Sequence, residues 1–184
     1  MKQLINLIII LSLSAKVCYA QQAERVKENK GVRIESMKEY KVIHDSIAAL
    51  VKQAKKDSIN YVGMAFSEFE KQLDKRGLKI TIAAIAGCDC QRVYPQHVYG
   101  IRIWFATDEV EKFAGTNDLR QPYIIVDFTE SKPYEKALSL IREYKGHYNE
   151  EVAAFYADAV IKSLFFHYPD DIYLLKHRRP VDQQ

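Results

Sequence analysis

The chain has few cysteines, and it lacks the short motifs that mark several large enzyme classes. Its 184 residues include three cysteines, and Cys18 lies in an N-terminal segment that we expect to be removed. The remaining two are too few for the disulfide-dense scaffolds of small secreted domains. The sequence contains no H-E-x-x-H, G-x-S-x-G, P-loop or G-x-G-x-x-G motif. These absences exclude only the enzymes that depend on those motifs.

The chain also lacks a strong excess of either charge. Its formal net charge is +3, and loss of Lys2 and Lys16 with the N-terminal segment would lower it to +1. Proteins that bind nucleic acids usually present a basic face that contacts many phosphates. The most basic run, KHRR at residues 176–179, is typical of a solvated tail. We therefore expect no nucleic-acid partner.

The first twenty residues, MKQLINLIIILSLSAKVCYA, resemble a secretory signal peptide. Lys2 precedes an apolar run over residues 4–13, and Cys18-Tyr19-Ala20 resembles a small-x-Ala cleavage site. We expect cleavage after Ala20, export to the periplasm or the cell exterior, and no stable membrane span afterwards.

Two other interpretations of this segment are an uncleaved anchor and a lipoprotein signal. A transmembrane helix needs about 20 mostly apolar residues, and here the apolar run gives way to serines and then to Lys16. Lipoprotein signals usually place a leucine three residues before the acylated cysteine and a small residue directly before it. Ala15 and Val17 occupy those positions relative to Cys18, so the sequence favours a cleaved signal peptide.

The remainder of the chain has the length of one domain. About 164 residues remain after cleavage, and a chain of that size can bury roughly two thirds of its unfolded surface. We predict a flexible lead-in over residues 21–35, a single globular domain over residues 36–176, and a C-terminal tail over residues 177–184.

The first predicted helix begins at a capping box. Ser36 is followed three residues later by Glu39, the spacing that satisfies two otherwise unpaired backbone N–H groups. The helix should run to Lys56, with His44 and Asp45 on its solvent side. Its predicted buried stripe comprises Tyr40, Ile43, Ile47, Leu50, Val51 and Ala54.

The later segments alternate between strand and helix patterns. Ser67 and Glu70 repeat the capping-box spacing, which predicts a second helix over residues 68–76 that ends at Gly77. Strands are predicted over 78–86, 98–106 and 122–129, with a short helix over 108–114. Alternation in the second strand puts Tyr99, Ile101, Ile103 and Phe105 on one face and Arg102 and Trp104 on the other. Further helices are predicted over 133–145 and over 149–166, with Val160 on the buried stripe of the latter, and residues 171–176 suit a last edge strand. This order predicts an α+β fold, in which an antiparallel sheet of three or four strands carries helices on one face.

The segment AGCDCQRVYPQH brings Cys88, Cys90 and His97 close together in sequence. Zinc usually has four protein ligands in structural sites, and Asp89 or a distant histidine would have to complete this set. In extended chain, cysteines two residues apart have Cα atoms about 7 Å apart, at the limit for a disulfide. We predict a structural or disulfide role and no cofactor. Zinc or copper binding, and thiol-redox or nucleophilic chemistry, remain as alternatives.

Acidic residues offer a weaker signal. Asp127 interrupts the apolar run IIVDF and is a possible buried acid, although an exposed position in the strand alternation also fits. A carboxylate pair for glycoside hydrolysis has no local motif. Asp127, Glu130, Asp170 and Asp171 are therefore candidates on residue type alone.

These observations predict a small exported protein that binds another protein or a small ligand and does not catalyse a reaction. The first alternative is a metal-handling or thiol-redox protein that uses Cys88, Cys90 and His97. The second alternative is a hydrolase with scattered carboxylates.

Overall fold

A computed structural model describes residues 34–86, 96–170 and 172. Several predictions fall on other residues and lie outside the described part of the chain. They are the signal peptide and its cleavage after Ala20, most of the lead-in, the C-D-C loop, the C-terminal tail and nearly all of the possible edge strand.

Four strands form one antiparallel sheet within the described residues, in the order β1-β2-β3-β4. Helices precede and follow the first three strands, so the predicted α+β class is confirmed. In chain order the elements are α1 (Met37–Lys56), a 3-10 turn (Ser58–Asn60), α2 (Phe66–Lys75), β1 (Ile82–Ile85), β2 (His97–Trp104), α3 (Asp108–Thr116), β3 (Tyr123–Pro133), α4 (Tyr134–Glu143), α5 (Glu150–Tyr156) and β4 (Ile161–His167).

Helix α1 begins at the predicted capping box. The Glu39 N–H donates to Ser36 Oγ at 3.2 Å, and the Ser36 N–H donates to Glu39 Oε2 at 3.1 Å. These two bonds satisfy donors at the helix start that have no partner within the helix. The local sequence is therefore sufficient to fix where this helix begins.

His44 is buried in α1, which contradicts its predicted place on the solvent side. The residue is 2% exposed, because it follows Tyr40 by four positions and precedes Ile47 by three, and so shares their face of the helix. Its Nδ1 lies 3.2 Å from Asp45 Oδ1, while Nε2 is buried without a hydrogen-bond partner among the described residues. Burial lowers the pKa of His44 and Asp45 opposes that shift, so the neutral ring is favoured in the core.

Helix α2 does not use the predicted Ser67–Glu70 capping box. It starts at Phe66, and its N-cap Ala65 offers no side-chain hydrogen bond. The N–H groups of Phe66 and Ser67 instead donate to the carbonyls of Ala159 (2.8 Å) and Ala157 (3.1 Å). Distant backbone therefore replaces the local hydroxyl cap. The stop at Gly77 is as predicted, with a positive φ of 82°.

The predicted helix over residues 149–166 is wrong beyond its first two turns. Helix α5 ends at Tyr156, and residues 161–167 form β4 instead, antiparallel to β3. Without β4, the edge of β3 that does not pair with β2 would leave its backbone N–H and C=O groups unpaired. Pairing across the sheet therefore overrides the helical spacing of the apolar residues. Val160, predicted on the buried stripe of that helix, is 39% exposed.

Strand β2 contains an irregularity that changes its inward face. The pairing with β3 shifts register between Val98 and Gly100, so Val98 is buried whereas Tyr99 is only half-buried. The prediction that Tyr99 shares the inner face with Ile101 and Ile103 is therefore wrong at Tyr99 and correct at the other two. Such bulges bend a strand and redirect side chains.

The core lies between the helices and one face of the sheet, which we call the inner face. Ile103, Ile124 and Phe166 oppose one another across β2, β3 and β4, and all three are buried. Buried residues of α1, α2, α4 and α5 belong to the same core. These four helices therefore cover the inner face, and part of the other face is left open.

Candidate functional site

The outer face of the sheet carries two rows of partly exposed side chains. Residues that oppose one another in antiparallel strands lie on the same face. The outer face is defined here by these rows: Trp104, Tyr123 and His167 in the first, and Arg102, Ile125 and Phe165 in the second. As predicted, Arg102 and Trp104 lie on the other face of β2 from the buried Ile103.

Arg102 lies against two aromatic rings. The guanidinium carbon is 4.7 Å from the centroid of the Tyr123 ring and 5.6 Å from that of Trp104. Both distances are within the range of favourable cation–π contacts. Among the residues that the structure describes, the buried Nε of Arg102 has no hydrogen-bond partner and no ion pair involves Arg102.

His167 extends the aromatic row onto β4. Its ring stacks on Tyr123 with centroids 4.4 Å apart and an interplanar angle of 26°, and Tyr123 lies 6.0 Å from Trp104. Burial lowers the pKa of His167, and the positive charges of Arg120 and Arg102 lower it further. The first row is therefore a continuous aromatic surface, and its histidine is mainly neutral at pH 7.

This surface forms one wall of a groove of about 610 Å³, which we call the outer groove. The segment from Leu119 to Gln121 and one side of α3 line it opposite the sheet. Two hydrogen bonds to the backbone of Arg120 anchor this segment. The Tyr40 hydroxyl donates to the Arg120 carbonyl at 2.5 Å, and the Arg120 N–H donates to the Ile172 carbonyl at 2.7 Å. Sites for small molecules commonly measure about 300–1,000 Å³, so the outer groove is of suitable size.

Helix α3 contributes an acidic group to the outer groove. Glu111 lines it together with Gly115. Burial raises the pKa of Glu111, the neighbouring Asp108 raises it further, and His147 opposes both. The groove therefore has a cationic side on the sheet and an acidic side on α3.

A second groove of about 420 Å³ lies between α2 and the start of α5. Burial raises the pKa values of Glu70 and Tyr148 there. Asp74, Glu150 and Lys79 also line it, so it carries charges of both signs. No aromatic row or unpaired arginine marks this groove, and the outer groove is the better candidate site.

The residues that the sequence singled out lie elsewhere or outside the described chain. Cys88 and Cys90 belong to the latter group. His97 is exposed at the start of β2, with its Nδ1 2.9 Å from Ser131 Oγ. It stands at the opposite end of the eight-residue strand from Trp104, roughly 20 Å away. Among the residues that the structure describes, no group of three or more His, Cys, Asp or Glu side chains is arranged to hold a metal ion.

Asp127 lies on the outer face but not in the outer groove. It is half-buried and accepts a hydrogen bond of 2.7 Å from Ser163 Oγ. It faces Gly100 across the β2–β3 pairing. The Asp127 carboxylate therefore links β3 to β4 through its hydrogen bond with Ser163.

Sequence reasoning missed most of the outer groove. The alternation in β2 indicated that Arg102 and Trp104 share a face, but it did not identify their neighbours. His167 directly follows the segment that was predicted as a helix, and its stacking on Tyr123 follows only from the pairing of β3 with β4.

In residues 34–86, 96–170 and 172, no helix combines the length and the apolar character required to cross a bilayer. Comparisons with protein-family models, with curated proteins and with solved structures found no match for this chain.

Proposed function

We propose that this chain is a small exported binding protein and that the outer groove is its ligand site. The observation that carries the proposal is Arg102, a cation in contact with two aromatic rings and without an ion-pair partner among the described residues. Tryptophan, tyrosine and arginine provide much of the binding energy at recognition sites, because they combine large apolar contact with a polar group. An aromatic surface beside a hydrogen-bonding arginine suits recognition of a ligand.

A second feature supports binding in the same place. Gln121 lines the outer groove, and its Oε1 is buried without a hydrogen-bond partner in the described part of the chain. Buried polar atoms are normally paired, and leaving one unpaired costs free energy. A ligand that donates a hydrogen bond to this oxygen would recover that cost.

The groove can be tested directly because Trp104 is the only tryptophan in the chain. Its indole N–H gives a single resonance, which reports on the outer groove alone. We expect at least one member of a panel of small anionic, cationic, neutral aromatic and sugar probes to shift this resonance saturably and to raise Tm, because a ligand that binds only the folded state stabilises it.

The matched control is Tyr144→Ala, which removes a partly exposed tyrosine from the end of α4. Tyr123→Ala should weaken binding of the active probe at least tenfold, whereas Tyr144→Ala should leave it unchanged. A panel that neither shifts the Trp104 resonance nor raises Tm would refute the proposed site.

Export is a separate expectation that rests on the first twenty residues. We expect the exported chain to begin at Gln21, because Lys2, the apolar run and Ala20 match the layout of a cleaved signal. Intact-mass measurement of protein recovered from outside the cytoplasm tests this. Retention of Met1 or a lipid on Cys18 would contradict it.

A further inference from the structure

The charge distribution of the outer groove narrows the chemistry of its ligand, provided that the proposed function holds. A guanidinium is protonated at all ordinary pH values, and burying charge without a partner is unfavourable. Arg102 is half-buried, and the ion pairs among the described residues do not include it. A negatively charged ligand group would supply the missing partner.

The geometry of Arg102 favours an oxyanion that presents two oxygens side by side. Its guanidinium lies over the rings of Tyr123 and Trp104, and the N–H groups of a guanidinium point outward in its own plane. Two parallel N–H groups match the two oxygens of a carboxylate or two oxygens of a phosphate. The rings therefore hold the cation in place and leave a hydrogen-bonding edge for the ligand.

The electrostatic field around His167 points to the same sign of charge. Besides burial, the charges of Arg120 from the groove wall and Arg102 from β2 disfavour its protonated form, as does His44 of α1 when that ring is protonated. The sheet side of the groove therefore carries positive charge, while Glu111 lines the groove from α3.

We infer that the outer groove binds a small organic anion, in which a carboxylate or phosphate pairs with Arg102 and a planar body packs against Trp104 and Tyr123. The two oxyanions share the same recognition chemistry. The volume of about 610 Å³ accommodates a molecule of one or two rings.

Four matched probes test the inference on the full exported chain. Benzoate and phenyl phosphate carry the two oxyanions, while benzamide and phenol offer similar rings without the negative charge. We expect each anion to bind at least tenfold more tightly than its neutral counterpart, because hydrogen bonds to a charged group are the stronger kind. Titration of the Trp104 indole resonance and calorimetry give the dissociation constants, and the tighter anion identifies the carboxylate or the phosphate as the preferred group.

Arg102→Gln should weaken benzoate binding at least tenfold and weaken benzamide binding much less, so that the preference for the anion is lost. The control is Arg142→Gln, which makes the same charge change at an exposed position in α4 and should leave both affinities unaltered. Neutral probes that bind as tightly as the anions, or an unaltered benzoate affinity in Arg102→Gln, would overturn the inference. In either case the proposed binding function would stand, because binding at Trp104 would still be observed.

The same titration at two pH values tests where the anion sits. A bound oxyanion beside His167 favours the protonated ring, so by linkage protonation of His167 must strengthen anion binding. The free protein holds the pKa of His167 below its usual value, so benzoate affinity should rise between about pH 8 and pH 5.5. His167→Asn should reduce that rise, and the part that remains would come from protonation of Glu111, whose pKa burial raises in the same groove. A rise in His167→Asn equal to that of the parent, or an affinity that is flat or falls on acidification, would contradict an anion at this end of the groove.

Discussion

Replacing Phe66 by alanine is expected to lower the free energy of unfolding by about 3–5 kcal/mol, the usual cost of removing a buried aromatic side chain. Phe66 is 0% exposed. Its ring lies 5.9 Å from that of Phe128, 6.2 Å from Phe69 and 6.4 Å from Tyr156. The residue therefore joins α2 and α5 to the inner face of β3, and its loss leaves a cavity that three elements share.

Chemical denaturation measures this loss, and the matched control is Phe165→Ala. This control removes the same phenyl ring, but Phe165 is 56% exposed on the outer face. We therefore expect the free energy of unfolding of the control variant to stay within about 1 kcal/mol of the parent. A domain of this size usually has only about 5–15 kcal/mol of stability. Equal losses in the two variants would show that the inner face does not form the core.

The start of α1 was predictable because its cause is local. Ser36 and Glu39 are three residues apart, and both capping bonds form within a single turn. The stop of α2 at Gly77 is equally local, since a positive φ favours glycine. Features of this kind depend on neighbours in sequence and are accessible without a structure.

Strand β4 was not predictable on the same grounds. The apolar residues from Val152 to Leu164 recur at helical spacing, and within that segment alone a helix pairs all backbone groups except those at its two ends. The alternative depends on β3, which is distant in sequence and whose edge requires a partner. An isolated antiparallel bridge between Ala65 and Val160 adds one more long-range backbone pairing, directly before the start of α2.

The outer groove was only partly predictable for a related reason. The alternation of β2 places Arg102 and Trp104 together, which is a property of a single strand. Their partners Tyr123 and His167 come from two other strands, and the register between strands determines which rings touch. An aromatic row built across three strands therefore leaves no motif in the sequence.

The register that aligns this row depends on the β2–β3 pairing near Gly100. An added Cβ at this position would lie 2.7 Å from the Val126 carbonyl oxygen and 2.8 Å from Asp127 Oδ1. Asp127 can rotate away at the cost of its bond to Ser163. The Val126 oxygen is part of the backbone and cannot move without displacing β3, so only glycine fits without a shift.

Gly100→Ala is therefore expected to destabilise the domain by about 1–3 kcal/mol, the cost of forcing extra volume into a packed site. It should also shift the Trp104 indole resonance, because any slip between β2 and β3 moves Trp104 relative to Tyr123. The matched control is Gly115→Ala in α3, where an added Cβ meets nothing within 4 Å. That change should be neutral or stabilise by up to about 1 kcal/mol, since alanine is the better helix former. Denaturant unfolding of both variants decides the matter: a Gly100→Ala protein as stable as Gly115→Ala would show that the strands do not approach this closely.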